Sequence, residues 1–397
     1  GMMMKMETEV LVIGGGATGT AVLRDLAMRG VEAVLVERGN LSDGTTGNFH
    51  GLLHSGGRYA VKDRAAAEEC IRENTILRSI APQAIEDTGG FFVALDDVDE
   101  AYLPRLVESC EAVGIPTEVL DGSEALRLEP CLSPSVRQAV TVPDASVDSW
   151  DLCVGNIASA REYGARVLLY TPVIEILREN GRKDGGRVTG VRATDLKSNE
   201  EVVIHAEYVV NATGPWSHKV ARLARIDVPM VLSAGTMIVL DSRPVKRVIN
   251  RCRKSADGDI IVPVGTTIVL GTTSVEVQDP DNFASQEWEV DKILDEAIQM
   301  LPMIETMGLQ RCYAGVRPLY EPPQAAGEED GREVSRAFYV LDHEKVDGVA
   351  GFLTITGGKL TTSRLMAEKT ADLVCEKIGV QATCRTHLEM LPTATPE

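Results

Sequence analysis

Three glycines spaced Gly14-x-Gly16-x-x-Gly19 follow a short apolar run and precede a helical pattern. That spacing suits one task, which is holding a pyrophosphate. Gly14 permits a tight turn, Gly16 lets a phosphate approach the backbone, and Gly19 lets helix and strand pack closely. The orphan N–H groups at the start of the helix then face the anion. Glu37, at the end of the next apolar run, lies where a carboxylate accepts both hydroxyls of a ribose. Turn, flanking elements and acidic end together point to a bound dinucleotide.

A second stretch, "HGLLHSGGRYA" from His50 to Ala60, sets two of the six histidines beside Gly51, Gly56, Gly57, Arg58 and Tyr59. It neither alternates like a strand nor repeats like a helix. It belongs to a long coil rich in Gly, Ser and Thr that begins right after Glu37, and a loop of that length inside a compact domain is usually functional. An NAD domain would continue its regular β/α alternation here. The coil, and a later strand ending in "NATGPW", favour FAD, whose extended body needs a second backbone crossing and a bed for its ring.

The elements that must carry these residues read as follows. Val10–Ile13 is a strand buried on both faces. Val22, Leu23, Leu26 and Ala27 recur at helical spacing until Gly30, and Val34–Val36 is the next strand. Ala65–Arg78 and Leu152–Gly164 read as helices, Tyr208–Asn211 as a buried strand reached through a β-meander. Residues 228–277 are rich in β-branched types with turn signals, as in an antiparallel sheet. "QEWEVDKILDEAIQML" is an amphipathic helix, "PPQAAGEEDGRE" a polar loop, and "GFLTITGGKLTTSR" a strand, a Gly-Gly turn and a helix start. The expected fold is α/β: a discontinuous Rossmann-like FAD-binding domain (1–80, 150–227 and 336–397) and a mixed α+β substrate domain built on an antiparallel sheet (81–149 and 228–335).

Composition limits the partners. The chain has 397 residues, too many for one ordinary core, with 44% hydrophobic and 25% charged residues. Its 40 basic against 59 acidic residues give a net charge of −19, a field that repels nucleic acid. The eight cysteines form no C-x-x-C pair, so neither a metal site nor a disulfide framework is expected, and a reducing compartment is. No apolar run reaches the length of a membrane span. The opening "GMMMKM" reads as the remnant of a removed tag, leaving no room for a signal peptide before the first strand, so a cytoplasmic protein is expected.

By this point the chain resembles the FAD-dependent glycerol-3-phosphate dehydrogenases of the D-amino-acid-oxidase-like superfamily. The resemblance rests on "VLVIGGGATGTAVLRDLAMRG", "HGLLHSGGRYA", "NATGPW", "INRCRK", "YAGVRPLY" and "GGKLTTSR". The block "VINRCRKSADGDIIVPVGTTIVLGTTS" resembles the flavin-carrying component of the anaerobic branch. Met237 stands where the aerobic branch has a histidine, and Gly51 where it has a basic residue.

The resemblance implies FAD-dependent oxidation of sn-glycerol 3-phosphate to dihydroxyacetone phosphate. It assigns catalysis to His54, Arg317 and Lys359, with His50 as the alternative base. It assigns the substrate phosphate to Arg58, Tyr59, Arg317, Arg336 and Lys359, since a dianion in so acidic a protein needs local cations. Cofactor contacts carried over are Gly14, Gly16, Gly19, Glu37, Arg38, Thr45, Thr46, Ser55, Gly56, Val173, Gly214, Gly357, Lys359, Leu360 and Thr361. Electron-accepting partner subunits or a membrane quinone system are implied, with peripheral attachment to the inner face of the membrane through those partners. The flavin-carrying component of the family continues into a cysteine-rich iron–sulfur module that has no counterpart in this sequence. Two other readings stay open: a sister oxidoreductase acting on an amine or 2-hydroxy acid, and an assembly component without turnover of its own.

Overall fold

Val10–Ile13 is wholly apolar because it lies inside a sheet, with a parallel strand on each side. The computed structural model describes residues 3–44, 47–179, 186–321 and 337–393. They divide into two units, one formed by Gly1–Gly47, Ser149–Leu232 and Arg317–Glu397, the other by Asn48–Asp148 and Ser233–Val316.

The first unit is built on an eight-stranded sheet. Its path runs Val173–Arg178, Val188–Asp195, Glu200–Asn211, Met3–Ile13, Ala33–Val36 and Arg166–Leu168. Phe352–Gly357 joins Glu200–Asn211 in parallel and pairs with Phe338–Asp342. The long strand Glu200–Asn211 serves two purposes. Its first half closes the antiparallel meander, and its last residues, Val209–Asn211, continue the parallel sheet. The helix Ala17–Met28 packs against Ser149–Glu162 and Ser363–Ile378. Within it, the buried Arg24 donates to Ser159 Oγ (3.0 Å) and to the carbonyls of Thr386 (3.1 Å) and Glu389 (2.6 Å).

The second unit carries a nine-stranded sheet in the order Val275–Val277, Met230–Leu240, Thr267–Gly271, Ile260–Val264, Val248–Arg251, Gly90–Ala94, Gln138–Val142 and Glu118–Asp121, with Leu309–Tyr320 beside Met230–Leu240. The expected antiparallel pairing holds across Met230–Gly271, whereas Val248–Arg251 runs parallel to Gly90–Ala94. The helix Glu287–Met300 buries Ile293, Ala297 and Met300 against Ile238, Ile249 and Ile261. A small sheet joins Leu52–Leu53, Ala145–Val147 and Ile85–Glu86.

That small sheet lies within the second unit. Residues 48–80, expected with the nucleotide-binding segments, group with the second unit. Leu52–Leu53 is paired to Ala145–Val147, and the helix Arg64–Ile80 packs on Asp97–Val113. The described helices include none long and apolar enough to cross a membrane.

Candidate cofactor and substrate site

In the first unit the glycine turn has the geometry its spacing implies. Gly14 has φ +119°, and a Cβ there would lie 2.2 Å from the Ala212 carbonyl oxygen. A Cβ on Gly19 would lie 1.9 Å from the Gly14 carbonyl oxygen, so no side chain fits between turn and helix. Gly16 is the N-cap of Ala17–Met28, with no side-chain cap and no acidic residue in the first turn. A helix start with no acidic side chain in its own first turn suits an anion.

Glu37 is joined to this turn by its carboxylate. Oε1 accepts the Gly15 N–H at 2.9 Å and Oε2 the Gly39 N–H at 2.6 Å. Each carboxylate oxygen has more than one acceptor position, so Glu37 keeps capacity for a diol. The Glu37 backbone also bonds Leu168 and Thr171, which brings the start of Val173–Arg178 alongside. Arg38 stacks on the Trp216 ring at 4.1 Å, and Gly44 closes on the same ring. Gly214, just before Trp216, has φ +60°. Asn211 anchors this turn, donating to Ser217 O (2.9 Å) and Thr354 Oγ1 (3.3 Å).

The Gly-Gly turn closes the same unit. Gly357 and Gly358 have φ +82° and +71°, and a Cβ on Gly357 would lie 2.6 Å from the Ala337 carbonyl oxygen. A 3-10 turn, Leu360–Thr362, separates Lys359 from the helix Ser363–Ile378. The expected helix start at the turn is therefore displaced by those three residues. Thr361 is buried and Arg317 half-buried. Thr45, Thr46 and Arg336 lie outside the described residues.

In the second unit, His54–Tyr59 is held by residues whose sequence context does not single them out. Asp144, buried, accepts the Ser55 N–H through Oδ1 at 2.9 Å and Asn250 Nδ2 through Oδ2 at 3.1 Å. Burial raises its carboxyl pKa above the ordinary value, against the hydrogen bonds from Ser55 and Asn250. Asn74 Nδ2 donates to the His54 and Pro143 carbonyls at 3.2 and 3.0 Å. Gly56 has φ +101°, and a Cβ there would lie 2.5 Å from the Ala67 carbonyl oxygen.

The side chains of this loop form a row. His54 lies 5.6 Å from His50 and 5.4 Å from Tyr59, ring centre to ring centre. His50 Nδ1 accepts the Leu52 N–H at 3.0 Å, so a neutral His50 carries its proton on Nε2. Arg58 Nη2 is 3.0 Å from Asp259 Oδ1, and both side chains are largely buried. Arg58 is therefore an ion-pair member, a role its sequence context does not announce. Tyr313, whose hydroxyl burial pushes up to about 12, donates to the Phe49 carbonyl at 2.7 Å. Met237 lies in an apolar cluster with Val239 and Val269, with Tyr313 packed against it.

Away from these residues, Glu368, Cys384 and His387 bring potential ligand atoms within 4.8 Å of one another. Arg364 Nη1 already lies 2.9 Å from Glu368 Oε1 and 3.7 Å from Cys384 Sγ. A guanidinium in that place disfavours a second cation. His343, the other deeply buried histidine, is spent on Thr354 and Asp347, both at 2.7 Å, and burial lowers its pKa.

The FAD dependent oxidoreductase family matches residues 9–373. The chain is 48% identical over 393 residues to the A1 component of the anaerobic glycerol-3-phosphate dehydrogenase of Haloferax volcanii, covering 98% of this chain and 67% of that one. It is 42% identical over 390 residues to the corresponding component of the Escherichia coli anaerobic enzyme, covering 97% and 70%. The glycerol-3-phosphate dehydrogenase from Bacillus halodurans, solved with FAD, superposes with a TM-score of 0.73 at 25% identity, over 96% of this chain and 67% of that one.

Proposed function

This chain belongs to the FAD-dependent oxidoreductase family, and on that premise we propose that it oxidises sn-glycerol 3-phosphate to dihydroxyacetone phosphate. The observation that carries the substrate is the 42% and 48% identity, over nearly the whole chain, to proteins named for that reaction.

The glycine turn fits the cofactor: at Gly14 and Gly19 a side chain is excluded, and Gly16 opens an uncapped helix. Gly14, Gly16 and Gly19 would hold the pyrophosphate, and Glu37 the ribose hydroxyls. Arg38, Val173 and Gly214 flank that half. Ser55, Gly56, Gly357, Lys359, Leu360 and Thr361 are assigned to the other half by motif, together with Thr45 and Thr46. When bound, FAD supplies a two-electron acceptor for the hydride that leaves the alcohol carbon.

Oxidation also requires that the alcohol proton leave, and His54 takes it on an imidazole nitrogen. His50 is the weaker base because its Nδ1 lone pair is committed to the Leu52 N–H. Arg317 and Lys359 supply charge for the phosphate dianion, with Arg336 from the matched motif. Arg58 and Tyr59 add directed donors. Electrons then pass to partner subunits, since the relatives are themselves components of a larger enzyme.

The test is an anaerobic spectrum of the FAD-loaded protein. Glycerol 3-phosphate is expected to bleach the flavin bands within seconds. Bleaching by an amine or a 2-hydroxy acid, with none by glycerol 3-phosphate, would overturn the reading.

A further inference from the structure

Arg58 follows two glycines, and nothing in "SGGRY" itself could fix a long side chain. Gly56 is in the left-handed region and Gly57 packs its backbone against Phe92. The Arg58 side chain is nevertheless only 11% exposed, and the side chain that meets it, Asp259, is 1% exposed. Asp259 is in turn immobilised: its Oδ2 accepts the Ala256 N–H at 2.9 Å, and its carbonyl accepts the Arg251 N–H at 3.0 Å. It precedes the strand Ile260–Val264, whose first residue pairs with Asn250 and Gly271. The carboxylate thus sits on a sheet, and the arginine on a loop.

We propose that Asp259 is the positioning residue for Arg58, aiming its remaining N–H donors at the substrate phosphate. The inference rests on the substrate reading above and deepens it. A guanidinium has five N–H donors in a rigid fork. Asp259 Oδ1 takes one through Nη2 at 3.0 Å, which anchors that end of the fork. Asp144, whose carboxyl feels the charge of Arg58, is a second acidic neighbour. With the Asp259 carboxylate in contact, Arg58 brings no net positive charge to the loop. It contributes direction, and the charge that balances a dianion must come from other residues. A buried arginine without its partner would also lose the orientation the pair imposes, because breaking one side of such a pair leaves an uncompensated charge.

A double-mutant cycle on the FAD-loaded enzyme tests this, with turnover followed by an artificial electron-accepting dye. Asp259→Asn should raise KM for glycerol 3-phosphate about tenfold while kcat stays within about twofold, the pattern of lost substrate binding. Arg58→Ala should raise KM at least as far, and adding Asp259→Asn to it should change KM no further. Melting temperature and FAD content, read on every variant, identify a fold defect. If Asp259→Asn does not fold, Asp259→Glu replaces it: the charge is kept but displaced by one methylene, and KM should still rise. An unchanged KM in a folded Asp259 variant, or effects that multiply in the double variant, would overturn the proposal while leaving the substrate reading intact. A wild-type enzyme that glycerol 3-phosphate does not reduce would remove both.

Discussion

The carboxylate of Asp144 accepts the backbone N–H of Ser55 at 2.9 Å, joining residues 89 positions apart in the chain. Removing it by Asp144→Ala takes the acceptor from the Ser55 N–H and one of two from Asn250 Nδ2, which keeps the Phe91 carbonyl, at a cost of about 3 kcal/mol. The bond also has a pH signature. Burial raises the carboxyl pKa in the folded protein. The folded state therefore holds that proton more tightly than the unfolded chain does. Its contribution is full below about pH 4, the unfolded value, and is lost as pH rises through the raised folded value. Denaturant titrations of wild type and Asp144→Asn between pH 4 and pH 8 should show wild type losing its relative stability upward through that window. A pH-independent difference would contradict this.

Gly19→Ala places a methyl 1.9 Å from the Gly14 carbonyl oxygen. Backbone on both sides cannot yield cheaply, and overpacking of this kind costs about 1–3 kcal/mol. The variant should purify with little FAD, read as a low ratio of flavin to protein absorbance. A full complement of flavin would show that turn and helix can separate.

His54→Asn removes the proposed base and keeps a side chain of similar polarity. Losing a general base slows proton transfer about 100-fold to 10,000-fold. Stopped-flow reduction of the flavin by glycerol 3-phosphate should slow by at least the lower figure. His50→Asn should slow it far less. A wild-type rate in His54→Asn would return the role to His50 or to solvent.

Arg24→Ala should lower stability by about 3 kcal/mol, since three acceptors lose a charged donor in a buried place. Those acceptors, Ser159 Oγ and the carbonyls of Thr386 and Glu389, lie far from Arg24 in the chain. Limited proteolysis should then cut within residues 380–393 in the variant before it does so in wild type.

The nucleotide turn is legible in the sequence because its requirements are local. Gly14, Gly16 and Gly19 answer to one turn, and Glu37 to the end of the adjacent strand. The supports of His54–Tyr59 are not legible in that way. Asp144 stands in "VPDAS" and Asp259 in "ADGDI", which read as ordinary polar turns. Their partners, Ser55 and Arg58, lie 89 and 201 residues away, so no window of sequence contains both ends. The one available signal was an acidic residue at the edge of a wholly apolar strand, as Asp259 is before Ile260. Leu52–Leu53 is likewise too short to announce itself as a strand, and its partner is Ala145–Val147.

The pairing of Met3–Ile13 with Glu200–Asn211, and of that strand with Phe352–Gly357, sets an order for biosynthesis. Long-range parallel pairing is slow because the intervening chain must be closed first. On the ribosome Met3–Ile13 precedes Glu200–Asn211, which follows only after Asn48–Asp148 has been made. The segments of the second unit are all translated by Val316, before Phe352 exists. That unit can therefore finish folding while the nucleotide turn still lacks part of its sheet. Flavin capture becomes a late event in the life of the nascent chain.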